Sequence, residues 1–151
     1  MLILVIFAVL FVVIFSDYIR RRMVFYLDIP KMEHNECIEK YKIVGDVNRL
    51  DFSNKGMYRT KLKFIVSSRN KAVSEMKWTM KLGKYIPASP LEIVELLRNR
   101  IDPEDVSQLY CIDCGRLFIF QFDENDNILV IHDRTKGFIP RDSTAVAARF
   151  K

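Results

Sequence analysis

The sequence predicts an α+β protein: an N-terminal transmembrane helix followed by one domain dominated by antiparallel β-sheet, with one or two short helices between two hairpin regions. Three observations predict it. Residues 2–15 contain no charged or polar side chain, no Gly and no Pro. From Cys37 to Lys84 apolar and polar side chains alternate, with turn residues between the runs, which is the period-two signature of strands buried on one face. Ser89-Pro90-Leu91-Glu92 then opens a helical pattern, and alternation resumes at Leu109.

Residues 1–19 read as the anchor. Leu2, Phe7, Phe11 and Phe15 lie in the apolar run, Tyr18 sits at its edge, and Arg20, Arg21 and Arg22 follow it. The run reaches the roughly 18 apolar residues that a span requires only when Tyr18 and Ile19 are counted. Interfacial Tyr and flanking Arg are the usual anchors of a membrane edge. A cleaved signal peptide would begin with basic residues and end at small ones, and Val13-Ile14-Phe15-Ser16 offers no such site. A surface helix would carry a polar stripe, which this run lacks. The expectation is therefore an uncleaved, single-pass membrane protein, inner-membrane if bacterial. By the positive-inside rule the arginine triplet places the domain on the cytoplasmic side, with the periplasmic side as the alternative. Residues 20–36 then form a juxtamembrane connector, 37–142 the domain and 143–151 a C-terminal tail.

Composition narrows the class. Of 151 residues, about 130 lie outside the apolar run, enough for one domain with its own core. Charged residues at 28% and aromatics at 12% describe a folded domain and exclude a disordered chain. A net charge of +5 permits an anionic surface or an acidic protein partner without requiring nucleic acid. The odd cysteine count of 3 excludes a complete disulfide framework.

Taken in order, Met23 to Pro30 continues the first helix or lies along the membrane surface, and Pro30 ends it. Residues 33–39 are a polar connector. Residues 41–52 read as a strand bent at Gly45, and Ser53-Asn54-Lys55-Gly56 as a turn. Met57 to Ser68 is the clearest strand, with Tyr58, Thr60, Leu62, Phe64 and Val66 on one face and Arg59, Lys61 and Lys63 on the other. Met76, Trp78, Met80 and Leu82 alternate against Lys77, Thr79 and Lys81, and read as a further strand. Ser89, Pro90 and Glu92 form a helix start with a capping box, followed by Leu91, Val94, Leu97 and Ile101 at helical spacing. Asp102-Pro103 starts a second short helix that ends near Leu109. Leu109–Asp113, Leu117–Asp123 and Asn127–His132 are strands around the Cys114-Gly115 and Glu124-Asn125-Asp126 turns. Residues 136–142 are a loop, and 143–150 a last helical turn.

Four groups of residues could carry chemistry. Cys111 and Cys114, three apart with Gly115 behind them, have the spacing of half a zinc site. His34 and Cys37 supply a second pair at the same spacing, and together the four would close a structural site. A disulfide between Cys111 and Cys114 is the alternative in an oxidising compartment, and three packing thiols are the third reading. Arg59, Lys61, Lys63, Lys77 and Lys81 form a basic stripe able to contact anionic lipid or a partner, without the interleaved aromatics of a nucleic-acid face, or simply to keep a sheet face solvated. Residues 123–134 lack the Gly and the bidentate Glu of a calcium loop. Finally, neither His34 nor His132 adjoins a nucleophile, and no phosphate loop or nucleophile elbow is present. These absences point away from an enzyme, and no cofactor other than a structural zinc is suggested.

Residues 89–131, with the Ser-Pro-Leu-Glu helix start, the Phe-Gln-Phe-Asp-Glu-Asn-Asp strand and turn, and the returning Ile-Leu-Val-Ile strand, resemble the helix-plus-hairpin unit of SmpA/BamE-type envelope domains. The Gly-x-Pro usual after that helix is missing. The layout of a short N-terminal span, small size and no catalytic motif resembles the ToxS/VtrC type of protein. That resemblance implies a small β-rich partner of a membrane-bound transcription activator, with its domain in the periplasm. The expectation is a non-enzymatic accessory module that binds a partner protein, with a small apolar ligand pocket as a further feature and nucleic acid disfavoured. A zinc-stabilised cytoplasmic domain at the membrane surface is the alternative.

Overall fold

A computed structural model of the chain describes residues 1–22, 24–99, 108–134 and 137–149. The chain opens with α1 (Leu2–Arg22), followed by β1 (Val24–Ile29), α2 (His34–Tyr41), β2 (Ile43–Gly45) and a 3-10 turn over Val47–Arg49. Next come β3 (Tyr58–Val66), β4 (Lys71–Ala72), α3 (Val73–Leu82), β5 (Tyr85–Pro87) and α4 (Pro90–Asn99). The strands β6 (Leu109–Asp113), β7 (Arg116–Phe122), β8 (Ile128–Asp133), β9 (Phe138–Ile139) and β10 (Thr144–Arg149) complete it.

One mixed sheet of 8 strands organises these elements in the order β1-β3-β10-β6-β7-β8-β2, with β5 added beside β10, while β4 and β9 form a separate two-stranded ribbon. Most neighbours are antiparallel, as expected from the period-two runs. Two pairs are parallel, β10 with β6 through Ala145 and Tyr110, and β2 with β8 through Ile43–Gly45. The second requires Gly45, whose φ is +95° and where a Cβ would lie 2.3 Å from the Val130 carbonyl oxygen. Only glycine tolerates that approach.

The sheet separates two apolar layers. Leu109 and Cys111 of β6, with Val146 and Ala148 of β10, point into the larger core beside α4. Tyr110, Ile112, Ala145 and Ala147 point the other way, onto Met76 and Met80 of α3. Helix α4 is buried from Pro90 through Leu97, Glu92 and Glu95 included. Its start is the predicted capping box: Ser89 N donates to Glu92 Oε1 at 2.9 Å and Glu92 N donates to Ser89 Oγ at 3.3 Å. Glu95 is satisfied by the Tyr41 hydroxyl and, at 2.6 Å, by Asn99 Nδ2. Burying a carboxylate is tolerable only with donors of this kind.

The structure corrects several expectations. Among the described residues, no helix is long and apolar enough to cross a membrane. This overturns the transmembrane anchor over residues 1–19, its assignment to Leu2, Phe7, Phe11, Phe15, Tyr18 and Arg20–Arg22, and the single-pass membrane localisation built on it. The uninterrupted apolar stretch from Leu2 to Phe15 rises only about 21 Å at 1.5 Å per residue, against a hydrocarbon core of about 30 Å. Residues 24–29, assigned to the first helix or a surface segment, form β1. Leu27 and Ile29 are buried and Val24, Tyr26 and Asp28 face outward. The polar connector contains α2, which carries its own capping box between Glu33 and Glu36. Residues 143–150, expected to be a helical turn in a tail, hold β10, the strand between β3 and β6. The second short helix, over residues 102–109, falls almost wholly outside the described residues.

Phe118 and Phe120 are fully buried, as the Phe-x-Phe alternation predicts, and Phe120 meets Phe52 edge-on at 6.3 Å. Phe120→Ala should cost about 3–5 kcal/mol of unfolding free energy. A denaturant titration with an unchanged midpoint would show that this face is not the core.

Candidate functional site

The expected strand over Met76–Leu82 is a helix, and this change creates the site. Met76, Trp78, Met80 and Leu82 fit a strand because each is two residues from the next. On a helix, two residues turn through about 200°, so the same four side chains split into two i,i+4 pairs on opposite faces. Met76 and Met80 are buried against the sheet, whereas Trp78 is 60% and Leu82 70% exposed. The sequence pattern is satisfied by either element, and packing against Tyr110, Ala145 and Ala147 selects the helix.

At its C-terminus α3 closes onto itself, with Gly83 N donating to the Met80 carbonyl at 3.1 Å and Lys84 N to the Lys81 carbonyl at 3.0 Å. Lys84, at φ 63°, turns the chain sharply into β5, which pairs with Ala147–Arg149 of β10. Between α3 and β5 lies an open groove of about 840 Å³. Trp78 lines it from α3, and Tyr85, Ile86 and Pro87 line it from β5. Its cations are Lys77 and Lys81 from the helix, Lys84 from the turn and Arg149 from β10, and no carboxylate is among its lining residues. Lys81 Nζ lies 5.9 Å from the Trp78 ring centroid and Lys63 Nζ 5.8 Å from that of Tyr85, within cation–π range.

The predicted basic stripe is thus divided. Lys77 and Lys81 line the groove, and Lys63 reaches its edge over Tyr85. Arg59 and Lys61 stay on β3, in register with Asp28 and Tyr26 of β1. Lys84, Tyr85, Ile86 and Arg149 were not singled out by sequence reasoning, and Trp78 was read only as part of a strand. The one available signal was the i,i+4 spacing of Trp78 and Leu82 beside that of Met76 and Met80.

A second cavity of about 540 Å³ adjoins the groove, sharing Val73, Ser74 and Gly115 with it. Arg116, His132, Asp133 and Arg134 line it. Its cations are already engaged: Arg116 pairs with Asp113 at 3.0 Å, and Arg134 Nε donates to His132 Nδ1 at 3.2 Å. The His132 ring stacks on Phe118 with centroids 4.7 Å apart, and its backbone N–H donates to Asp46 Oδ2 at 2.8 Å. Partial burial, then the guanidinium groups of Arg134, Arg49 and Arg116, hold its imidazole below the ordinary value.

The four proposed zinc ligands are dispersed. Among the described residues, no three His, Cys, Asp or Glu side chains form a group able to hold a metal. His34 Nδ1 accepts the Phe52 N–H at 3.2 Å, and its ring packs on Phe52. All three cysteines are free: Cys37 and Cys111 are buried in the core, and Cys114 is exposed in the β6–β7 turn at φ 48°. The alternation of β6 sends Cys111 into the core next to α4, so it does not join Cys114 in a site. Burial first, and then the field of Glu95, pushes the Cys37 thiol up to about 12. Burial likewise pushes the Cys111 thiol far upward.

A thiol that rarely ionises and is shielded from solvent reacts slowly. In native protein, a chromogenic disulfide reagent should titrate Cys114 alone. Cys37 and Cys111 should become reactive only on unfolding. Rapid titration of all three would show that the core thiols are accessible.

No protein-family model, curated protein or solved structure matches this chain, so the groove and its neighbouring cavity are interpreted from their own chemistry.

Proposed function

We propose that this chain is a non-enzymatic accessory module that binds a partner protein, and that the groove between α3 and β5 is where the partner sits. The observation that carries the reading is the exposed apolar lining of the groove, with Trp78 at 60% and Ile86 at 43% exposure. Exposed apolar side chains scattered singly are ordinary. A contiguous aromatic and aliphatic strip within a cationic rim is the composition of a recognition surface. The groove is open to solvent, whereas a site for a small molecule usually encloses most of its ligand, so a polypeptide segment fits it better. The reading retains one element of the ToxS/VtrC-type layout, a β-rich module that acts through another protein.

Trp in a pocket centre is the residue type most often responsible for binding energy. Trp78→Ala should therefore weaken partner binding by about 2 kcal/mol or more, with little effect on the melting temperature because the ring is mostly exposed. Location can be tested without knowing the partner. A photoreactive residue replacing Ile86, which lines the groove, should crosslink one discrete polypeptide in cells that make the protein. The same residue replacing Glu124, outside the groove, should not. Equal yields from both positions, or none from Ile86, would argue against the groove as the binding face.

A further inference from the structure

We infer that the partner segment is acidic and amphipathic, with carboxylates answering Lys77, Lys81, Lys84 and Arg149 while an apolar side chain lies over Trp78 and Ile86. This rests on the groove being the partner-binding face. The argument is one of unmatched charge. Four cations line a single groove that has no acidic residue in its wall. The nearby acids on the same or adjoining elements are already taken: Glu75 of α3 pairs with Arg69 at 2.5 Å, and Asp113 of β6 pairs with Arg116 at 3.0 Å. Lys77, Lys84 and Arg149 make no ion pair among the described residues. Like charges held this close raise the local positive potential, and an arriving carboxylate relieves it.

The apolar half of the groove selects among anions. A single-stranded nucleic acid uses aromatic faces as stacking platforms. Here the ammonium groups of Lys81 and Lys63 reach toward the Trp78 and Tyr85 rings and compete for stacking there, and the neighbouring lining is apolar, from Ile86 and Pro87. Leucine- or phenylalanine-like side chains fit that surface, and the flanking lysines suit carboxylates at helical or extended spacing beside them.

Trp78 is the single tryptophan of the chain, so its emission reports on the groove directly. The full-length protein would be titrated with three synthetic amphipathic peptides sharing one leucine pattern, with Glu, Gln or Lys at the polar positions. An oligothymidylate serves as the nucleic-acid probe. The Glu peptide should bind about tenfold or more tightly than the Gln peptide, and the Lys peptide should not bind. Raising ionic strength from about 0.05 to about 0.5 M should shrink that preference, since screening shortens the reach of exposed charges. The double variant K77E/K81E, checked for an unchanged melting temperature, should reverse the preference toward the Lys peptide. Equal binding of Glu and Gln peptides would overturn the acidic assignment and leave the groove as a binding face. If no peptide perturbs Trp78, both readings fail. An oligothymidylate that binds more tightly than the Glu peptide would overturn both in favour of nucleic acid.

Discussion

Two-sided burial of β10 is the constraint on which the architecture depends. A strand lying between β3 and β6, with α4 on one side and α3 on the other, has no solvent-facing register. Thr144, Ala145, Val146, Ala147 and Ala148 are all buried. The small side chains matter because Ala145 and Ala147 let the methionines of α3 approach the sheet, and Ala148 leaves room on the α4 side. Close packing of this kind penalises a change of even one methylene. Through β10 the strands of the two hairpin regions become one sheet, and β5 gains the partner that fixes one wall of the groove.

The distribution of polar groups follows from that layering. On the α4 side the buried carboxylates are matched: Glu92 caps its own helix, and Glu95 is held by Tyr41 and Asn99. Arg98 extends the network, donating to the Tyr41 and Asp126 carbonyls at 2.7 Å each. Burial and the hydrogen bond to Glu95 drive the Tyr41 hydroxyl well above its ordinary range. Near His132, whose ring stacks on Phe118, Arg116 pairs with Asp113 and Asp46 accepts the His132 backbone N–H. The groove departs from this rule, with its cations unmatched and its apolar strip uncovered.

Sequence and structure agree where local signals have a single physical solution. The Ser89–Glu92 capping box gives α4, the alternation of β3 gives its buried and wetted faces, and Phe118 and Phe120 locate the core. They part where one pattern has two solutions. A 14-residue apolar run, by count from Leu2 to Phe15, resembles a span until its rise is compared with bilayer thickness. The Val-Ala-Ala segment of β10 carries no alternation because both faces are buried. Cysteine spacing near 111–114 resembles a ligand pair, yet alternation along β6 directs Cys111 inward and away from Cys114.

The sequence by itself determined the helix start at Ser89, the two faces of β3, the odd thiol count and the basic excess, because each follows from residue identities or from a few neighbouring residues. Only the tertiary structure decided that residues 73–82 coil into a helix, that residues 144–149 enter the sheet, and that Trp78, Tyr85 and Arg149 line one groove. Those outcomes depend on which distant surface each segment meets. For Met76 and Met80 the deciding surface is the far face of β6 and β10, and burying them there leaves Trp78 and Leu82 facing outward.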